Sequence, residues 1–201
     1  MTQTSTQLAT AQRWDDLETV LCGGGDGRSC QCQWPMVGAS TWRTTNAVQR
    51  ADLLHHELLG PLAPGVLAYV DGQPAGWARV GPRCNQRRLG RSRIVQRGSA
   101  EPIDAPDVWA VTCFSTRREY RHQGLGEVLL DAAIAHARSH GARVLEAYPI
   151  DTAVSRASSN ALFVGVLSTF LRAGFQIVAR PTPSRVVVAQ GSSWPYPAAR
   201  L

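Results

Sequence analysis

The sequence predicts a mixed α/β (α+β) fold, and three stretches predict it. Residues 108–114, Val-Trp-Ala-Val-Thr-Cys-Phe, are rich in β-branched and aromatic side chains and read as a buried strand. Across a short loop, Leu125, Val128, Leu129, Ala132, Ala133 and Ile134 recur at helical spacing until Gly141 supplies a stop. Residues 66–70 and 75–80 flank Asp71-Gly72 and read as a hairpin. A chain of 201 residues buries a core of its own without disulfides, so residues 1–201 are expected to form a single domain.

The first element is a short helix over 14–21, opened by Asp15 and Asp16 and ended by Gly23-Gly24-Gly25. The polar stretch before it, 1–12, lacks the apolar region of a signal peptide and is assigned no element. A second helix, 44–59, carries Ala47, Ala51, Leu54 and Leu58 on one face and stops at Gly60-Pro61. After the hairpin come Arg83, Arg87, Arg88, Arg91, Arg93 and Arg97, with no acidic residue between Arg79 and Glu101, so a local positive field is expected. This segment reads as a flexible excursion between strands, either solvated or reaching the anionic groups of a ligand. It has no aromatic interleaving and no helical stripe, so nucleic acid is not an expected partner. Beyond the long helix, 124–140, a strand is expected over 143–148 and closed by Pro149, then a last helix over 161–173 and a last strand over 185–190. Residues 191–201, with Trp194 and two prolines, are expected to be a mobile tail.

The loop before the long helix, Tyr120-Arg121-His122-Gln123-Gly124-Leu125-Gly126, reads as a pyrophosphate cradle. A helix N-terminus offers free N–H groups and the positive end of the helix dipole, and Gly124 and Gly126 let the main chain come close to a ligand. A P-loop needs a lysine after its last glycine, and this chain has none: every Lys/Arg residue is arginine. The three glycines of a dinucleotide fingerprint are missing too. Arg121 to Gly126 resembles the Arg/Gln-x-x-Gly-x-Gly/Ala motif of the GNAT superfamily of acyl-CoA-dependent N-acetyltransferases, and Tyr120-Arg121 matches the residues that lead into it. The order of hairpin, strand, loop, helix and Gly174-Phe175 extends the resemblance over roughly 60–190.

The resemblance implies a mostly antiparallel central sheet, flanked by helices, with a splayed cofactor strand. It implies acetyl-CoA as co-substrate: main-chain groups of Cys113, Phe114 and Thr116 would take the pantetheine arm, and Arg121, His122, Gln123, Gly124, Leu125 and Gly126 the diphosphate. The implied reaction is direct attack of a primary amine of a small molecule on the acetyl thioester in a ternary complex. The alternatives are an acyl-CoA sensor without transfer, or acetylation of protein amines. A homodimer is a common arrangement in the family. Cys30-Gln31-Cys32-Gln33-Trp34-Pro35 and Tyr148-Pro149 also resemble a bacterial subgroup with a Cys-x-Cys segment near its N-terminus.

The amine must lose a proton. Glu146 and Tyr148 lie two apart on a strand and point to the same face, so one can act as base and the other as an aligning hydroxyl. The competing reading pairs Glu146 with an arginine and packs Tyr148 at the sheet end. Many relatives have a tyrosine general acid four residues before their Gly-Phe. Here that position is Phe170, so Tyr148, Ser168 or solvent must serve, or the protein is catalytically silent. Trp34 and Trp42 are expected to wall the acceptor slot, with packing in the core as the alternative.

No metal site is expected. Cys30 and Cys32 form C-x-C, whose side chains point to opposite sides of an extended chain, and Cys22, His55 and His56 supply no second paired set. Cys113 is expected to pack rather than act as a nucleophile, and His136 and His140 to share a solvated helix face. With five cysteines, no apolar stretch near 20 residues and no leader, reduced thiols and a cytoplasmic location are expected.

Overall fold

The computed structural model describes residues 2–23 and 25–191. Its strands are β1 (Thr4–Leu8), β2 (Gly65–Val70), β3 (Gln73–Pro82), β4 (Val108–Thr116), β5 (Val144–Ala147), β6 (Gln176–Ala179) and β7 (Val187–Gly191). Its helices are α1 (Trp14–Cys22), α2 (Gly27–Cys30), α3 (Ala39–Thr44), α4 (Ala47–Leu58), α5 (Arg93–Gly98), α6 (Leu125–Ser139) and α7 (Leu167–Arg172). One seven-stranded sheet runs in the order β1-β2-β3-β4-β5-β7-β6. Every neighbouring pair is antiparallel except β4 and β5, which α6 joins as a parallel crossover.

Side-chain alternation divides the core between the two faces of the sheet. Val66, Ala68 and Val70 of β2 pack with Leu129, Leu130 and Ala133 of α6 on one face. Leu67 and Tyr69 of the same strand pack with Trp77, and with Leu17 and Leu21 of α1 and Leu54 and Leu58 of α4, on the other. β2 is therefore buried along its whole length. The β2–β3 hairpin turns at Asp71 (φ 48°) and Gly72 (φ 78°), the paired positive φ angles that a two-residue turn matched to strand twist requires.

Several expectations are corrected. Residues 4–8 form an edge strand on β2, held by main-chain pairing; nearly all its side chains are exposed, so no apolar alternation announced it. The expected helix over 44–59 begins later, at Ala47, because Asn46 and Gln49 close a reciprocal capping box, and a separate helix, α3, precedes it. The expected helix over 161–173 is broken by Gly165 (φ 85°) into a 3₁₀ turn, Ala161–Val164, and the six residues of α7. His136 is buried, its Nε2 3.0 Å from the Ala63 carbonyl oxygen and its ring against Trp109; only His140 reaches solvent. Burial holds the His136 pKa below the ordinary histidine value, and the neighbouring His140 adds to that.

The arginine-rich segment is not a loose excursion. It folds as two 3₁₀ turns and α5 across the sheet, and Arg83 is fully buried. The expected mobile tail, residues 191–201, lies outside the described residues except for Gly191, which ends β7.

Candidate active site

β4 builds the site. Its first half pairs with β5 from Val108↔Val144 to Val111↔Ala147, and there the pairing stops. β5 ends at Ala147 and Pro149 follows, so the second half of β4, from Thr112 to Thr116, keeps only its β3 neighbour. The expected splay of this strand is present. On the β3 side, Arg79 pairs with Cys113 and Val80 with Val111, so Thr112 is an extra residue without an opposite number. Such a bulge reverses which face the following side chains meet. Val111 packs on the α6 side, whereas Cys113 packs with Trp77 and the α1–α4 layer. Gln86, from the arginine-rich segment, supports the bulge by accepting the Thr112 hydroxyl at 2.7 Å and donating to the Ala110 carbonyl at 3.2 Å.

The loop after β4 enters α6 through Gly124, whose φ of 77° and ψ of 2° are left-handed and suit glycine. No side chain caps this helix, so the N–H groups of Leu125 and Gly126 face outward without an intrahelical partner, while that of Glu127 turns back to the Gly124 carbonyl at 2.9 Å. A Cβ built on Gly124 or Gly126 meets nothing within 4 Å, so the main chain here borders open space. His122 is also left-handed (φ 61°), and Arg121 donates from Nε to the Thr116 carbonyl at 3.3 Å, which fixes its stem beside the strand end. Glu127, the acid in the first turn, is paired with Arg172. This loop fits a diphosphate: an uncapped N-terminus, two open glycines and an arginine.

A cavity of about 850 Å³ runs from this loop along β4. Cys113, Phe114 and Thr116 line it with Arg121, His122, Gly124, Leu125 and Gly126. Trp34 and Trp42, from the N-terminal segment, line it as well, so sequence-predicted cofactor and acceptor residues meet in one space. Gln123 is exposed and turns back to donate to the Glu119 carbonyl at 3.0 Å. Trp34 and Trp42 meet edge to face at 4.9 Å, with the Arg88 guanidinium over Trp34 and that of Arg50 over Trp42, each 3.6 Å from the ring centre. At the mouth, Asn160 donates to Asp26 at 3.2 Å and links the two walls.

Glu146 and Tyr148 lie elsewhere. Glu146 is 0 % exposed and lines neither this cavity nor the second one described below. Its carboxylate accepts from Arg83 Nη1 at 2.8 Å, Ser99 Oγ at 2.5 Å and Tyr148 Oη at 2.7 Å. The arginine-paired alternative is thus the observed geometry. Burial opposes the Arg83 charge, and the Glu146 carboxylate overcomes that to hold its pKa above the ordinary arginine value. Burial and the same carboxylate push the Tyr148 hydroxyl well up. Phe170 is also fully buried, packed edge-on between Phe114 and Phe175, while Ser168 is exposed and lies outside the cavity.

The sequence reading missed a thiol cluster. Cys32, at φ 51° after Gln31 at φ 48°, turns inward to the cavity and is 1 % exposed. Its Sγ accepts from Trp77 Nε1 at 3.1 Å and Arg79 Nε at 3.4 Å, and the Cys113 thiol lies beside it. Arg79 is in turn held by Glu57 of α4 at 2.7 Å, and Gln33 donates to the same carboxylate at 2.5 Å. Burial alone would push the Cys32 thiol up; the Cys113 S–H, the Arg79 charge and the two N–H donors outweigh it and bring the pKa down to about 6. Cys113 moves well above the ordinary thiol range. A signal existed: Arg79 sits in the otherwise buried strand Ala75-Gly76-Trp77-Ala78-Arg79-Val80, and a buried cation requires partners.

The Acetyltransferase (GNAT) family model matches residues 32–165, two thirds of the chain. The chain belongs to the GNAT acetyltransferase family. GNAT acetyltransferases use acetyl-CoA, and the loop and cavity described above fit it. Among solved structures, this GNAT chain is similar to the PaiA N-acetyltransferase of Thermoplasma acidophilum in complex with coenzyme A, at 13 % identity and a TM-score of 0.52 over 94 % of this chain and 99 % of that one. It is similar to an N-acetyltransferase from Staphylococcus aureus Mu50 at 12 % identity and a TM-score of 0.54, covering 94 % and 98 %. A ribosomal-protein-alanine N-acetyltransferase from Brucella melitensis matches at 15 % identity and a TM-score of 0.53, covering 93 % and 99 %. These likenesses show the fold. No curated protein sequence matches the chain. Among the described residues no helix is long and apolar enough to cross a membrane, and no group of three or more His, Cys, Asp or Glu is placed to hold a metal ion.

Proposed function

We propose that this GNAT protein, acting as one domain, transfers acetyl from acetyl-CoA to a primary amine of a small molecule, by direct attack while both substrates are bound. The single cavity that joins Cys113, Phe114 and Thr116, the loop 121–126 and the tryptophans 34 and 42 carries this reading. In it, the N–H groups of the α6 N-terminus and Arg121 hold the diphosphate, and the unpaired edge of β4 holds the pantetheine arm. Acetyl-CoA supplies an activated thioester. The neutral amine adds to its carbonyl carbon, the carbon–sulfur bond breaks, and the proton the amine gives up passes in the end to the departing thiolate, so the products are an amide and coenzyme A as its free thiol. Holding the two substrates in one cavity makes the reaction effectively unimolecular.

The proton acceptor in this reading is the Cys32 thiolate. It lines the cavity beside Cys113, on the strand that carries the acyl arm, whereas Asp26 stands at the mouth. The buried hydrogen bonds of Glu146 and Tyr148 support a positioning role: they anchor the end of β5 against the arginine-rich segment and thereby keep the splay open. All five cysteines are free thiols, which supports a reducing, cytoplasmic setting, and Cys32 at the site supports membership of the Cys-x-Cys subgroup.

Phe170 at the usual tyrosine position favours a second reading, an acyl-CoA sensor without transfer. Calorimetry of acetyl-CoA binding, with Gly124→Glu placing a carboxylate where the diphosphate is to sit, is paired with free-thiol release against a panel of amines. Binding lost in the variant together with thiol release on some amine supports the enzyme. Binding without release on any amine supports the sensor, and no binding by the unaltered protein removes both.

A further inference from the structure

A second cavity of about 740 Å³ begins where the first one ends. Along β4, Cys113 to Thr116 line the first cavity and the bulged Thr112 lines the second, with Trp34 and Phe163 shared between them. The diphosphate loop follows Thr116, so the second cavity lies off the opposite, acyl end of the strand. Its wall contains Arg87, Arg88, Arg91 and Arg185, and no aspartate or glutamate.

Two of these arginines are unusual. Nε and Nη2 of Arg88 and Nε of Arg185 are buried with no hydrogen-bond partner, and among the described residues neither side chain has an ion-pair partner. Arg88 stacks on Trp34, and Arg185 donates from Nη2 to the Tyr148 carbonyl at 3.0 Å, so both are held in place. Desolvation pulls both guanidiniums below the ordinary arginine value. Both side chains are only half-buried as a whole, whereas the fold gives its fully buried arginines carboxylates: Arg79 has Glu57 and Arg83 has Glu146. Guanidinium nitrogens shut off from water without a partner are costly, and a planar fork of N–H donors matches a carboxylate or phosphate.

We propose that Arg88 and Arg185 bind an acid group of the acceptor, so that the substrate is a small amine carrying a carboxylate or a phosphonate, as in an amino acid. This rests on the acetyltransferase reading above and names its substrate class. The acid is held beside Trp34 in the second cavity, and the amine faces Thr112 and Cys113 at the acyl end of the first. Coenzyme A's own phosphates are not the guests, because the loop that receives them is at the far end of β4.

Matched acceptors test this: an amino acid, its aminophosphonate, its decarboxylated amine and a peptide bearing the same residue, each followed by thiol release and by calorimetric binding to the coenzyme A-bound protein. The unaltered protein is expected to favour the acid-bearing small amines at least ~100-fold in kcat/KM, and Arg88→Gln and Arg185→Gln each to shrink that ratio ~10- to 100-fold, the range for a hydrogen bond to a charged group. The effect is expected in KM, and coenzyme A affinity reports that each variant still folds. A preference for the decarboxylated amine, a ratio that the variants do not change, or turnover of the peptide alone would each overturn the assignment. Should no amine turn over while acetyl-CoA binds, the acetyltransferase reading fails by itself. The binding arm still decides the anion site: acid-bearing ligands binding more tightly than the decarboxylated amine, and losing that margin in the variants, uphold it, and equal or absent binding overturns it.

Discussion

Removing the Glu146 carboxylate separates a structural acid from a catalytic one. Glu146 and Arg83 both have 0 % side-chain exposure and lie 2.8 Å apart, and Arg83 also donates to the carbonyls of Glu101 and Pro102. Glu146→Ala leaves the guanidinium buried without its counter-charge and takes an acceptor from Ser99 and Tyr148, a loss of about 3–5 kcal/mol for breaking one side of a buried pair. With an unfolding entropy of ~2.1 cal/mol/K per residue, 201 residues give about 0.4 kcal/mol/K, so the melting temperature should fall by roughly 7–12 °C. Differential scanning calorimetry reads this loss. In parallel, kcat of Glu146→Gln and Glu146→Ala, measured at 25 °C where both are folded, should fall by less than the ~10²-fold that losing a general base costs. A kcat loss of that size with a melting temperature within about 2 °C of the parent would refute the reasoning and return Glu146 to the role of base.

Other perturbations address the thiol cluster and the broken helix. Cys32 is expected to react with iodoacetamide with an apparent pKa of about 6 and to be shielded by coenzyme A, whereas Cys113 should stay inert until well above neutral pH; rates followed by mass spectrometry check both. Because the native pKa lies below that of an unfolded thiol, ~8.5, the thiolate contributes its full stability above the unfolded value and loses it as pH falls toward about 6. Stability measured by urea should therefore rise between those pH values, and Cys32→Ala should flatten the rise; an equal slope in the variant would sink the thiolate. Cys32→Ala should also lower kcat by roughly 10²-fold or more, without an acetyl adduct ever having formed on Cys32 in the parent. Gly165→Ala places a Cβ 2.6 Å from the Phe170 ring at φ 85°, and a loss of about 2–5 kcal/mol is expected from left-handed strain and overpacking together; a stability within 1 kcal/mol of the parent would contradict the packing described.

Periodicity and turn chemistry made several elements legible locally. The strand at 108, the long helix to Ser139, the Asp71-Gly72 hairpin and the glycine loop ahead of the long helix are written in residues close together, and each stands where it was expected. So was membership of the GNAT family, because Arg121 to Gly126 is contiguous. Tertiary structure decided the rest. Glu146 and Arg83 are 63 residues apart, and Cys32 meets Trp77 and Arg79 across 45 and 47. Strand alternation placed Glu146 and Tyr148 on a common face but could not say that α5 and Arg83 would cover it. Spacing within Cys-x-Cys likewise hid Cys32: two successive left-handed residues, Gln31 and Cys32, turn the chain so that one thiol faces the sheet. Exposed β1 gave no apolar signal, since its stability comes from main-chain bonds to β2. What decides a residue's chemistry here is the charge and burial of groups far away in the chain, and those exist only once the sheet has assembled.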